Sequence, residues 1–229
     1  MNILVTGASR GIGKAITSTL EGNIFATARN EELLKDFSNH ISCDLAKDAD
    51  LIKLGAYIQE KNIDILINNA GEYIYSPIEE TNQNNLSHII KTNLEAPLYL
   101  ISKAVPYMKQ QKWGRIVNIG SISGVMGEAN ASLYSATKAG LIGATKALGL
   151  ELAEYGITVN TINPGWVNTE MGNSSIGEFS KEEIVDCIPQ KRFVEPCEVA
   201  AMVKYLISEE AKGVTGQSIN LCAGLSVGC

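Results

Sequence analysis

Seven apolar runs alternate with amphipathic stretches along almost all of this chain, and that rhythm limits the folds open to it. The runs are "NILVTG" (2–7), "NIFATA" (23–28), "HISCDL" (40–45), "IDILINNAG" (63–71), "GRIVNIGS" (114–121), "GITVNTINPG" (156–165) and "GQSINL" (216–221). Most are continuous in Val, Ile and Leu, which suits strands covered on both faces. Helical patterns fill 11–21, 30–36, 48–61, 79–110, 133–154 and 196–208; the last opens with Pro196 and Glu198, both favourable in a first helical turn. Strand–helix alternation of this kind predicts an α/β fold, a doubly wound seven-stranded parallel sheet with helices on both faces. Residues 170–195 break the rhythm with small and polar residues, and are expected to form a lid over the substrate.

With 229 residues and no linker or repeat, one domain spanning 1–229 is expected. A net charge of −6 repels phosphate-rich partners, which argues against nucleic acid or an anionic membrane surface. No apolar run is long enough for a membrane span, and the N-terminus lacks the pattern of a signal peptide. The five cysteines are scattered, with neither a disulfide framework nor zinc-like spacing, so a reducing cytoplasm is expected. No metal site is expected, and His40 and His88 read as structural.

"TGASRGIG" (Thr6 to Gly13) follows the first run and opens the first helical stretch. Glycines there permit a tight turn and close backbone approach to phosphates, aimed at the positive end of a helix. In that position the motif predicts a dinucleotide site of Rossmann type.

Tyr-x-x-x-Lys occurs three times, as Tyr57/Lys61, Tyr99/Lys103 and Tyr134/Lys138, and at that spacing a phenol and an ammonium share a helix face. Only the third follows a strand ending in a hydroxyl residue, Ser121, 13 residues before Tyr134. Strand end and helix start would meet at the carboxyl edge of the sheet, where ligands bind in such folds. Tyr57 and Lys61 fall instead near the amino end of the strand that follows them. Tyr99 and Lys103 are expected to serve packing or subunit contact.

The Gly-x-x-x-Gly-x-Gly loop with Thr6, "NNAG" (Asn68 to Gly71), the Ser121/Tyr134/Lys138 set, "PGWVNT" (Pro164 to Thr169) and "VTGQSINLCAGLSV" together resemble the short-chain dehydrogenase/reductase family over essentially the whole chain. The similarity is greatest to its 3-oxoacyl-(acyl-carrier-protein) reductase group. It implies catalytic roles for Asn93, Ser121, Tyr134 and Lys138. It implies cofactor contacts at Thr6, Gly7, Ser9, Arg10, Gly11, Ile12, Gly13, Arg29, Asp44, Leu45, Asn69, Ala70, Gly71, Tyr134, Lys138, Pro164, Gly165, Val167 and Thr169. NAD-dependent members usually end the second strand with an acid; Ala28 stands there, followed by Arg29, and Arg10 sits in the glycine loop. Two guanidinium forks favour a ribose 2′-phosphate, so NADP(H) is expected over NAD(H).

The implied reaction is reduction of a ketone, a 3-oxoacyl thioester or a small carbonyl compound, with Tyr134 as proton donor. Lys138 and the positive nicotinamide are expected together to lower the phenol's pKa, Ser121 to hold the carbonyl oxygen, and Asn93 to anchor a water chain. An alcohol, steroid or sugar dehydrogenase working oxidatively is the alternative, and a silent cofactor-binding regulator a more distant one. Enoyl reduction is disfavoured, because those relatives space the pair as Tyr-x-x-x-x-x-x-Lys. Acyl-carrier protein is one candidate partner, although Tyr155 replaces a commonly basic residue, with Lys109 and Lys112 nearby. The family pattern implies a homotetramer or homodimer.

Overall fold

Successive strand residues point to opposite sides of one sheet, and each side has its own helical cover. The computed structural model describes residues 1–175 and 180–228. Its strands are β1 (Asn2–Thr6), β2 (Asn23–Ala28), β3 (Asn39–Ser42), β4 (Ile65–Asn68), β5 (Gly114–Ile119), β6 (Ile157–Pro164) and β7 (Ser218–Leu221). The helices are α1 (Gly11–Thr19), α2 (Asp48–Lys61), α3 (Gln83–Ile90), α4 (Ala96–Gln111), α5 (Ser123–Met126), α6 (Ser132–Leu152), α7 (Glu170–Ser174), α8 (Lys181–Cys187) and α9 (Pro196–Leu206). The strands form one parallel sheet in the order β3-β2-β1-β4-β5-β6-β7.

Ile3, Val5, Ile65, Ile67, Val117 and Ile119 face one side and bury Ile16 of α1 with Val199, Val203 and Leu206 of α9. The alternate residues Leu4, Leu66 and Ile116 face the other side, against Leu54 and Ile58 of α2 and Leu100 and Met108 of α4. Each such side chain removed from water contributes about 1.5–3 kcal/mol, which fixes strand register, because a one-residue slip would exchange the two faces. Chain order reverses direction between β1 and β4, opening a crevice above their carboxyl ends.

Several elements differ from the sequence expectation. The strand expected over 63–71 ends at Asn68, because the next two amides, of Asn69 and Ala70, donate to the Thr6 hydroxyl at 3.0 Å each instead of continuing a ladder. The stretch 30–36 is a single tight turn, Glu31–Leu34, capped by Asn30. The helix expected over 79–110 begins at Gln83, capped by Asn82, and widens into a π turn at Lys91–Glu95 before α4. Wide turns of this kind often re-aim a functional side chain; this one buries Thr92 and Asn93. Within 170–195, α7 and α8 are short, and Ile184, Ile188 and Phe193 form a small cluster with Trp166, whose ring stacks on Phe193 at 5.7 Å. The part of the expected lid at 176–179 lies outside the described residues.

Candidate active site

The turn after β1 shows why glycine is required. Gly7 has φ +66°, and a β-carbon on Gly13 would sit 2.0 Å from the Gly7 carbonyl oxygen. Asn69 holds this turn from the β4 side: its Nδ2 donates to the carbonyls of Thr6 (2.8 Å) and Gly7 (3.1 Å). Thr6 and Asn69 therefore tie the ends of the two strands flanking the crevice. A loop stripped of side chains and leading into the N-terminus of α1 fits a dinucleotide's phosphates.

A cavity of about 580 Å³ opens above these strand ends. All the predicted cofactor residues border it, from Thr6 through Gly13, Arg29, Asp44 and Leu45, Asn69 to Gly71, and Pro164 to Thr169; Ser121, Tyr134 and Lys138 border it as well. Asn93 does not; it lies buried behind Gly71. Its Nδ2 donates to the Glu72 carbonyl at 2.8 Å, and its Oδ1 accepts from the Glu72 amide at 2.9 Å. Thr169 accepts from the Gly172 amide at 3.0 Å and so caps α7.

The two arginines at the mouth both face carboxylates. Arg10 pairs with Glu170 at 2.8 Å, and Arg29 with Glu72, whose second oxygen meets His88 Nε2 at 2.5 Å. Both guanidiniums are more than half exposed and so stay open to a phosphate ligand, and the exposed Arg10–Glu170 pair contributes little to hold Arg10 back.

The three Tyr-x-x-x-Lys copies share a local shape, with the ammonium 5.4, 4.7 and 5.6 Å from its ring centre in chain order. Position separates them. Tyr57 packs on Phe25 and Tyr99 against Gly55, both away from the cavity. Lys138 alone is buried, and its Nζ donates to the Ile119 carbonyl at 2.9 Å. Burial lowers its pKa to about 8 from 10.5.

The protein's own groups push the Tyr134 phenol in the direction opposite to that expected of Lys138 with a positive nicotinamide. Burial raises its pKa to about 12, the Ser121 hydroxyl lowers it, and the charge of Glu128 raises it further. The protein alone thus favours the neutral phenol; a lysine 5.6 Å from the ring does not reverse the cost of burying a phenolate. The phenol is not sealed off, since Tyr134 keeps partial exposure towards the cavity.

Sequence reasoning missed a group of residues beside this phenol. Tyr73 packs edge-on against Tyr134, centroids 5.0 Å apart, and donates its hydroxyl to Glu128 Oε1 at 2.6 Å. Ser123 donates to Glu128 Oε2 at 2.6 Å, and Ser121 donates to Ser123 Oγ at 3.1 Å. The one signal in the sequence was an acid in the loop between the strand-end serine and the tyrosine, with a second serine two positions after the first. Of the basic residues weighed as a carrier contact, Lys109 lies near Tyr155 as expected, over its ring at 4.4 Å, but just before β6, at the sheet edge opposite the cavity.

A parallel sheet with a glycine turn at its reversal point, facing a serine–tyrosine–lysine set, defines an NAD(P)-dependent oxidoreductase. Residues 7–226 match the model of a family described as enoyl-(acyl carrier protein) reductase. A Streptomyces violaceoruber protein, provisionally named ketoacyl reductase 1 of the granaticin polyketide synthase, is 40% identical over 97% of this chain and 92% of its own. The 3-oxoacyl-(acyl-carrier-protein) reductase FabG of Staphylococcus epidermidis is 35% identical over 97% of both. A crystal structure of an actinorhodin polyketide ketoreductase with NADPH superposes with TM-score 0.92 at 38% identity, covering 99% of this chain and 97% of that one. The chain belongs to the short-chain dehydrogenase/reductase family, close to its 3-oxoacyl-(acyl-carrier-protein) reductase group.

Proposed function

We propose that this site reduces a ketone to a secondary alcohol with NADPH, the substrate being a 3-oxoacyl thioester or a small carbonyl compound. The observation that carries the reading is the convergence of Ser121, Tyr134 and Lys138 on the cavity that the glycine turn opens into. The four-residue spacing of Tyr134 and Lys138 favours ketone over enoyl reduction, and the relatives named as ketoacyl reductases support the same choice.

When bound, the dinucleotide supplies the hydride. Tyr134 moves its phenolic proton to the carbonyl oxygen, completing the alcohol, a step of general acid catalysis. Lys138 places a positive charge one turn from that phenol, where it stabilises the phenolate left behind. Ser121 fixes the approach of the carbonyl oxygen. Asn93 acts from behind, holding the Glu72 backbone and so the wall that carries Gly71. Arg10 and Arg29 would hold the 2′-phosphate, giving up Glu170 and Glu72 for a doubly charged, fork-compatible partner.

NADPH and NADH consumption against a panel of ketones and 3-oxoacyl thioesters, free and carrier-bound, tests the reading. Turnover with NADPH is expected, and Tyr134→Phe should reduce kcat roughly 10²–10⁴-fold. Full activity in that variant would refute Tyr134 as the proton donor.

A further inference from the structure

Resting on the reductase reading, we propose that Glu128 is a positioning residue of this site. Through Ser123 it fixes the place of the Ser121 oxygen, and through its charge it holds Tyr134 in the proton-donating form. The geometry is a chain with one polarity. An ionised carboxylate only accepts hydrogen bonds, so Ser123, 2.6 Å from Oε2, must give its proton to Glu128. The Ser123 oxygen is then left as an acceptor and takes the Ser121 proton at 3.1 Å. The Ser123 amide also donates to Ser121 Oγ, at 3.2 Å. These contacts hold Ser121 Oγ beside the phenol, and a bound carbonyl oxygen would draw its proton away from the chain.

The carboxylate is itself fixed. Tyr73 donates to its other oxygen at 2.6 Å, and the Tyr73 ring buttresses Tyr134 edge-on. The ionisable groups around the phenol are Lys138 on its own helix, Tyr73 after β4 and Glu128 in the α5–α6 loop, with the Ser121 hydroxyl at the end of β5. Glu72, also bordering the cavity, is turned to Arg29 and His88. Glu128 is thus the negative charge that opposes Lys138. It pushes the phenol pKa upward, in the same direction as burial. A protonated phenol is what reduction consumes and oxidation lacks, so this residue biases the site towards delivering a proton.

The test is the pH dependence of kcat/KM in both directions, for the natural chain and for Glu128→Gln. Removing the charge lowers the phenol pKa. The alkaline fall of reduction and the onset of oxidation should therefore both move down by roughly half to one pH unit, and oxidation near neutrality should rise about three- to tenfold. Glu128→Ala carries the same expectation if the amide disturbs the loop. Glu128→Asp, which keeps the charge, should return the profile to that of the natural chain. Superimposable profiles for the natural, Gln and Ala forms overturn the role of Glu128 and leave the reductase reading standing, as would an Asp form displaced as far as Gln. Absence of turnover by the natural chain on every ketone overturns both.

Discussion

Lys138 pays for its position in stability. It is 4% exposed, and among the described residues it has a backbone carbonyl and no carboxylate for a partner. Its folded pKa of about 8 lies below the ordinary 10.5, so the charged form is disfavoured by folding. Below about pH 8 the lysine is charged in both states and the penalty is present in full; it declines as pH rises from 8 towards 10.5, where folding no longer has to bury a charge. Lys138→Met should accordingly stabilise the ligand-free protein at neutral pH by about 1–2 kcal/mol, a few degrees in Tm, while abolishing turnover. A scanning melt paired with an NADPH assay checks both; a lower Tm would show that the carbonyl contact outweighs the burial. Arg29 carries the second prediction at this scale. On the NADPH reading it would exchange the half-buried Glu72 carboxylate for the 2′-phosphate, a doubly charged partner that a guanidinium fork fits. Arg29→Ala should raise the Kd for NADPH roughly tenfold and leave that for NADH nearly unchanged. Equal loss for both cofactors would remove the basis for an NADP preference at this residue.

At the scale of elements, the sequence carried what local chemistry decides and lost what tertiary contacts decide. The glycine turn was legible because a β-carbon at Gly7 or Gly13 would run into neighbouring backbone, at 2.9 Å from the Ala70 Cα and 2.0 Å from the Gly7 carbonyl oxygen. The central strands were legible because burial on both faces leaves a continuous apolar run. The end of β4 was not, since its ladder stops when a hydroxyl on β1, more than 60 residues earlier, takes the next two amides. The π turn at Lys91–Glu95 was hidden for a similar reason: hydrophobic periodicity reports a helix but not one extra residue that turns Asn93 inward. Tyr134 and Lys138 could be chosen over two copies of the same spacing by asking which helix starts at the carboxyl edge. The direction of the phenol's pKa could not, because it depends on burial and on Glu128, six residues before it in the chain and joined to Tyr73 from another strand's loop.

For the whole molecule, the question of self-association turns on the outer surface of α6. Helix α6 turns Lys138, Leu141, Thr145 and Leu152 inward, yet Leu150 is 85% exposed. An isolated exposed leucine is ordinary. Here it lies on one of the two long helices that the family resemblance implicates in subunit contact, and a homotetramer or homodimer built through α6 would cover it. Light scattering should then give the natural chain a mass that is a multiple of 24.6 kDa. Leu150→Glu, which places a carboxylate at the contact on each copy, should lower that multiple while leaving the circular dichroism spectrum unchanged. A natural chain that elutes as a monomer, or a Glu variant of undiminished mass, would exclude α6 as the contact.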